Sequence, residues 1–357
     1  MFSNILKIQA FFEKFKKNKG LFFSTLTTTS LVVIFLAMLY LNTVATRTAS
    51  TFYEQSRVDV LKFVDDLLIA KSEKILPISV LLANNQDLID ALNLINTPED
   101  MIATDDLNTT DENTTLATKV DPASIAEAKE EAFEIINSAN DNIAAYSTSG
   151  IDIALYTQDA SKIADAITGV VEDPLPTSRA SVISVLATNE AIVGVEQIGQ
   201  SSVLRAITPI LSGENLVGMI EVRQGIEFIQ DSLNDQGYNF IFALDRFKFP
   251  NEFITNLNTV EINDRYVTVQ QNIDQQFLEY LKNINYQELM EDEYLLDSDF
   301  FVTYKLIQDV EGVDYGVILV GENMDNPTNV LEVVSSVAKN ITIVALGLVV
   351  ALLILMI

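Results

Sequence analysis

Residues 203–210 read Val203-Leu204-Arg205-Ala206-Ile207-Thr208-Pro209-Ile210, and after a polar turn at Ser212 to Asn215 the chain continues Leu216-Val217-Gly218-Met219-Ile220-Glu221-Val222. Two β-rich runs separated by a short Gly-containing turn define a hairpin. The pattern recurs about a hundred residues later. Phe301-Val302-Thr303-Tyr304-Lys305-Leu306-Ile307, a turn near Glu311-Gly312, and Val313-Asp314-Tyr315-Gly316-Val317-Ile318-Leu319-Val320 form its counterpart, with Gly218 and Gly316 in matching places. Each hairpin is preceded by a Gly-started strand, Gly150-Ile151-Asp152-Ile153-Ala154-Leu155-Tyr156 in the first copy and Gly237-Tyr238-Asn239-Phe240-Ile241-Phe242-Ala243-Leu244 in the second. Helical stretches, Ser178 to Thr188 and Asp274 to Leu281, lie between. The repeat therefore predicts two modules in series, each an antiparallel sheet with flanking helices, an α+β architecture.

Upstream, positions 61, 64, 68, 71, 75, 78, 82, 85, 89 and 92 step by threes and fours and are apolar except for Lys71 and Asn85. This is the seam of a long helix. Pro77 sits inside it, off the seam, where it removes a backbone hydrogen bond and favours a kink. Two readings of the seam stand: a parallel coiled coil with a second copy, in which Lys71 and Asn85 set the register, or packing on the protein's own sheets. Asn96 to Lys119, rich in Thr, Asn and Asp and without apolar period, reads as a solvated loop. Asp121-Pro122 then caps a helix that ends before Gly150.

Two stretches, one near each end of the chain, lack charge. Gly20 to Thr46 contains no charged side chain and centres on Leu31-Val32-Val33-Ile34-Phe35-Leu36-Ala37-Met38-Leu39-Tyr40-Leu41. Asn340 to Ile357 is a second uncharged run, about 27 Å long as a helix. Both lengths suit a bilayer. Residues 1–20 carry Lys7, Lys14, Lys16, Lys17 and Lys19 against Glu13, a balance of +4 that predicts a cytoplasmic N-terminus. The formal charge is −28; setting aside that +4 and the +1 of Lys339 leaves −33 on residues 43–338, which then lie outside. A cleaved secretory signal is the competing reading of the first run, because Thr43-Val44-Ala45 resembles a cleavage site. A buried core helix is the competing reading of the second. Asn326-Pro327 opens a connecting helix that runs into it.

The composition excludes several chemistries. With 50 acidic against 22 basic residues, the surface repels phosphate backbones, and nucleic acid is not an expected partner. With no Cys and no His there is no thiol nucleophile, disulfide, His-based triad or ordinary zinc site. Phosphate-cradling Gly-rich motifs and the Gly-x-Ser-x-Gly elbow are absent. The acidic group Glu291-Asp292-Glu293 with Asp297 and Asp299 matches no calcium loop and reads as a solvated edge. No cofactor, metal or catalytic residue is expected, and the chain is not expected to be an enzyme.

The layout resembles the double Cache (PAS-like) sensor domains of bacterial transmembrane receptors, such as methyl-accepting chemotaxis proteins, sensor kinases and membrane-bound nucleotide cyclases. The residues that carry the resemblance run from Ser181 through Val185-Leu186, Ala191-Ile192-Val193-Gly194-Val195-Glu196, Leu204 to Ile210, and Val217 to Val222. It covers roughly Leu61 to Glu332. It implies that the membrane-distal module binds a small ligand and that the receptor is a parallel homodimer. Two departures stand out. The turn Thr157-Gln158-Asp159-Ala160-Ser161-Lys162 lacks the glycine often found there, and without Trp the Arg then Trp-Tyr pattern of amino-acid-sensing relatives is missing.

The expected organisation is a basic cytoplasmic segment 1–20, a transmembrane helix 21–45, a long extracytoplasmic helix 46–95, a membrane-distal module 96–230, a membrane-proximal module 231–325, a connecting helix 326–339 and a second transmembrane helix 340–357, placed in the inner (cytoplasmic) membrane with lipid as a partner. The candidate ligand-binding residues are Tyr156, Arg179, Glu196 and Arg205. Arg205 lies in so apolar a strand that it must pair, either with a ligand carboxylate or with Glu196 or Glu221. Tyr156 also fits a core aromatic with a satisfied hydroxyl, and Arg179 a simple helix flank. The resulting expectation is the ligand-sensing part of a chemoreceptor-like protein. The alternative is a membrane-anchored structural or interaction protein without a pocket.

Overall fold

The computed structural model describes residues 19–98, 101–102, 120–145, 150–167, 169–174, 180–198, 201–324, and 339, 340, 343, 344 and 347. The basic N-terminal segment, most of the Thr/Asn/Asp-rich loop and of the connecting helix, and Arg179 lie outside these residues. Of the second uncharged run, residues 340, 343, 344 and 347 alone are described. Among the described residues no helix is long and apolar enough to cross a membrane.

The described residues begin with α1 (Lys19–Ala83), followed by α2 (Gln86–Ile95) and α3 (Pro122–Ala144). The single long helix expected to reach residue 95 is thus two helices. Asn84 turns its amide back to the Val80 carbonyl at 2.7 Å, and the Asn85 side chain accepts from the backbone N–H groups of Asp87 and Leu88. Asn85 is the cap of α2, which is what an asparagine does best at a helix start. Helix α1 continues through Pro77. Asp121 caps α3 through Ala123, with Pro122 in the first turn.

Two six-stranded antiparallel sheets follow. The first comprises β1 (Ile151–Thr157), β2 (Ser161–Asp165), β3 (Gly169–Pro174), β4 (Ile192–Ile198), β5 (Ser201–Ser212) and β6 (Asn215–Gly225), in the order β3-β2-β1-β6-β5-β4. Helix α4 (Ala180–Thr188) lies between β3 and β4, and α5 (Glu227–Asn234) leads to the second sheet. That sheet comprises β7 (Tyr238–Asp245), β8 (Val260–Glu261), β9 (Tyr266–Thr268), β10 (Tyr294–Leu296), β11 (Phe300–Gln308) and β12 (Asp314–Asn323), ordered β10-β11-β12-β7-β9-β8. Helices α6 (Asn251–Asn256), α7 (Gln275–Asn283) and α8 (Tyr286–Asp292) complete it. In both sheets the first strand sits beside the last, and the long hairpin flanks it. The short strands β3, β8, β9 and β10 carry too few residues to show a period, and the sequence pattern does not mark them.

The matching glycines have one physical reason. Gly218 lies opposite Thr157, and a Cβ there would stand 2.5 Å from the Tyr156 carbonyl oxygen. Gly316 lies opposite Leu244, and its Cβ would stand 2.7 Å from the Ala243 carbonyl oxygen. Each copy brings its first strand against a bare Cα at the same register.

One apolar cluster joins the helices to one face of each sheet. It contains Val60, Val64, Ile75 and Leu82 of α1, Leu92 of α2, Leu155, Leu204 and Ile220 of the first sheet, and Phe242, Ile318 and Val320 of the second. The seam therefore lies on the protein's own sheets, with Lys71 placed 5.1 Å from the centre of the Phe228 ring. Complete burial of a Val, Leu or Ile side chain stabilises by about 1.5 to 3 kcal/mol, so this cluster dominates the packing.

Candidate functional site

The opposite face of the first sheet carries charge. Arg205 on β5 and Arg223 on β6 are direct cross-strand partners, and Asp152 on β1 lies opposite Arg223. Glu221 sits two residues before Arg223 and so shares its face. Tyr156 and Ala154 of β1, Ile207 of β5 and Met219 of β6 continue this face under Val182 and Val185 of α4.

Arg205 is 1% exposed. Its Nη1 donates to Glu196 Oε2, which also accepts from Ser181 Oγ at 2.7 Å, and its Nε stands 3.1 Å from Glu221 Oε1. The Tyr156 hydroxyl donates to Glu221 Oε2. Arg205 Nη2 has no hydrogen-bond partner among the described residues. A second knot adjoins the first. Arg223 Nη2 bridges Asp152 and Asp165, at 2.9 Å from the latter, and Lys162 Nζ approaches Asp165 Oδ2 to 3.1 Å.

Burial penalises every charge in this cluster, and the partners decide which way each group shifts. For Arg205 burial acts against the guanidinium, but Glu221 and Glu196 outweigh it and the group is held above its ordinary value. Arg223 is likewise raised, with burial opposed by Glu221, Asp152 and Asp165. Burial pushes the Asp152 carboxyl up further than Arg223 can offset. For Asp165 burial is overcome by Arg223 and the Lys162 hydrogen bond, and its carboxyl falls below the usual range.

Of the residues singled out in the sequence, Tyr156, Glu196 and Arg205 meet in this cluster, Glu196 on Arg205 directly and Tyr156 through Glu221, while Arg179 lies outside the described residues. Both internal carboxylates named as alternatives to a ligand engage Arg205. Ser181, Asp152, Asp165, Lys162 and Arg223 were not proposed as site residues. The two-residue spacing of Glu221 and Arg223 on one strand was the signal that could have found the second knot.

The second sheet fills the same place with hydrocarbon. Counted from the matching glycines, Tyr156 corresponds to Ala243, Glu221 to Leu319 and Arg223 to Gly321. A Cβ on Gly321 would stand 2.1 Å from the Phe277 ring, which occupies the space the Arg223 side chain takes in the first copy. Phe277, Phe300, Val317 and Leu319 form one buried cluster there. Among the described residues the first sheet holds a buried arginine–carboxylate cluster at this place, and the second holds Phe277 and Leu319. Among the described residues no cluster of metal-ligating side chains occurs.

No protein-family model and no curated protein matches the sequence. Solved structures to which the chain is similar include sensor domains. The sensor domain of the Vibrio cholerae histidine kinase DctB is 12% identical, with 76% of this chain and 95% of that one covered at a TM-score of 0.43. The sensory domain of the Campylobacter jejuni chemoreceptor Tlp3 is 12% identical, with 78% and 97% covered at a TM-score of 0.40, and its ligand-binding domain in complex with L-valine is 12% identical, with 78% and 96% covered at 0.41.

Proposed function

We propose that this chain is the ligand-sensing part of a two-pass bacterial membrane receptor, in which a small extracytoplasmic solute binds the polar face of the first, membrane-distal sheet. The observation that carries the reading is the contrast between the two copies of one framework. One keeps a buried ion cluster with an arginine N–H group that has no described hydrogen-bond partner, and the other packs the equivalent place with Phe277. A polar face of this kind favours binding over stability, because buried charges cost more than the apolar side chains that replace them. The role is recognition rather than catalysis. Ligand at β4 to β6 shifts the packing of the sheet on α1, and the helices at the two chain ends carry the change through lipid. Such coupling is worth about 1 to 3 kcal/mol. The uncharged runs and the lysine-rich N-terminus support the two-pass placement.

Titration calorimetry of the full chain in lipid nanodiscs against a metabolite library tests the binding step. A ligand is expected whose affinity falls at least tenfold in both Tyr156→Phe and Ser181→Ala. Binding that no substitution in the cluster alters places the ligand elsewhere and overturns the reading. Cysteine labelling at Ser3 and at Asp235 tests the topology, the first expected to be accessible only from inside and the second only from outside.

The membrane-anchored interaction protein is the second reading. It is favoured by one observation, the engagement of Arg205 by Glu196 and Glu221 without any ligand.

A further inference from the structure

A cavity of about 210 Å³ lies between β5, α5, β7 and the loop after β9, away from the Arg205 cluster. At about 30 Å³ per water it holds roughly seven waters. Buried Ile226, Phe240 and Phe242 supply its apolar wall, and Val269 continues it.

Several of its amide and hydroxyl groups already have partners. Gln270 Nε2 donates to the Phe240 carbonyl at 3.0 Å while its Oε1 accepts from Phe242 N–H at 3.1 Å, so this side chain extends the β7 edge as a strand would. Gln271 Nε2 donates to the Val269 carbonyl, Gln230 Nε2 to the Asn272 carbonyl, and Ser202 Oγ to Gln197. Among the described residues that line the cavity, the one charged side chain is a carboxylate. Glu227 is exposed at the cavity wall and has neither a hydrogen bond nor an ion pair among the described residues. Its carboxylate folds over the bare Cα of Gly225, where an added Cβ would stand 2.0 Å from Oε2. The glycine makes that carboxylate position accessible.

An acceptor with a full negative charge beside two phenylalanines, in a chain of formal charge −28, selects a cation with an apolar body. We propose that this inter-sheet cavity is a second binding site, separate from the distal face, for a small organic ammonium ion held by Glu227 and the Phe240 and Phe242 wall. Glu227 also begins α5, where a carboxylate favours the helix dipole without any ligand. The experiment must separate these roles.

The full chain is titrated with n-butylammonium, with n-butanol and butyrate as neutral and anionic controls, by calorimetry and thermal melting. Saturable binding of n-butylammonium alone is expected, with a rise in melting temperature. Affinity falls at least tenfold in Glu227→Gln and in Gly225→Ala, whose methyl displaces the carboxylate, and is unchanged in Ser181→Ala. That last result holds whether or not the distal face binds a solute. Absence of saturable binding, equal binding of n-butanol, or unchanged affinity in Glu227→Gln overturns the proposal. A Glu227→Gln chain that melts lower but binds n-butylammonium unchanged assigns the residue to the helix dipole alone, and likewise overturns it.

Discussion

Arg205 and Arg223 stand directly opposite one another on β5 and β6, in the middle of a sheet. Like charges at that spacing repel, and burial strengthens the repulsion. The arrangement holds because each guanidinium has its own carboxylates, Glu196 and Glu221 for one and Asp152 and Asp165 for the other.

Removing one arginine should therefore cost more than removing an ordinary core residue. Arg205→Met leaves Glu221 fully buried opposite a neutral side chain, and a loss of about 3 to 5 kcal/mol is expected. The double variant Arg205→Met with Glu221→Gln should recover part of that loss. Urea unfolding followed by circular dichroism reads both, and a double variant no more stable than the single would show that the pair is not the cause.

The two aspartates around Arg223 should respond oppositely to pH. Asp165 has a depressed carboxyl, so its stabilising effect is present above its unfolded value and disappears as pH falls through the folded one. Asp152 has a raised carboxyl, so the fold loses stability as pH rises from the unfolded value through the folded one. Asp165→Asn is expected to lower the melting temperature near pH 7. Asp152→Asn should hold or raise it, since Arg223 keeps Asp165. Melting curves between about pH 4 and 7 compare them.

Gly218→Ala and Gly316→Ala should behave as a matched pair. Each methyl meets a first-strand carbonyl oxygen, and each substitution is expected to destabilise by about 1 to 3 kcal/mol. The Gly218 methyl also meets Leu92, at 2.8 Å from Cδ1, so Gly218→Ala is expected to be the costlier of the two. Gly213→Ala, with nothing within 4 Å but a φ of +67°, tests backbone strain alone and should cost less than either. Equal losses at all three sites would contradict the steric account.

Asn85→Ala should separate capping from register. Loss of the two bonds to Asp87 and Leu88 predicts a cost of about 0.5 to 2 kcal/mol with no change in oligomeric state. A shift in molecular mass measured by light scattering would instead support a register role.

The two-copy architecture was legible because long strands carry a strong period and because Gly218 and Gly316 mark one steric requirement twice. The break at Asn84 and Asn85 was hidden by a heptad that runs through it: Leu82, Ile89 and Leu92 all reach the same core from two different helices. At the site, Arg205 announced itself as a charge in an apolar strand. Glu196 and Glu221 were named with it, but the adjoining knot was not, because Asp152, Asp165 and Arg223 become neighbours through cross-strand register and the two-residue spacing of Glu221 and Arg223 is its one local sign. The missing glycine of the β1–β2 turn has a local answer. Ala160 takes a φ of +68° with its methyl buried, so Ala160→Gly relieves strain while losing packing.

The cluster shared by α1 and both sheets makes the two copies thermodynamically inseparable. Cutting the chain at Gln236 would part Phe242, Ile318 and Val320 in one fragment from Leu155, Leu204 and Ile220 in the other, which share one cluster in the intact chain. With that cover shared, the two copies are expected to melt in one transition.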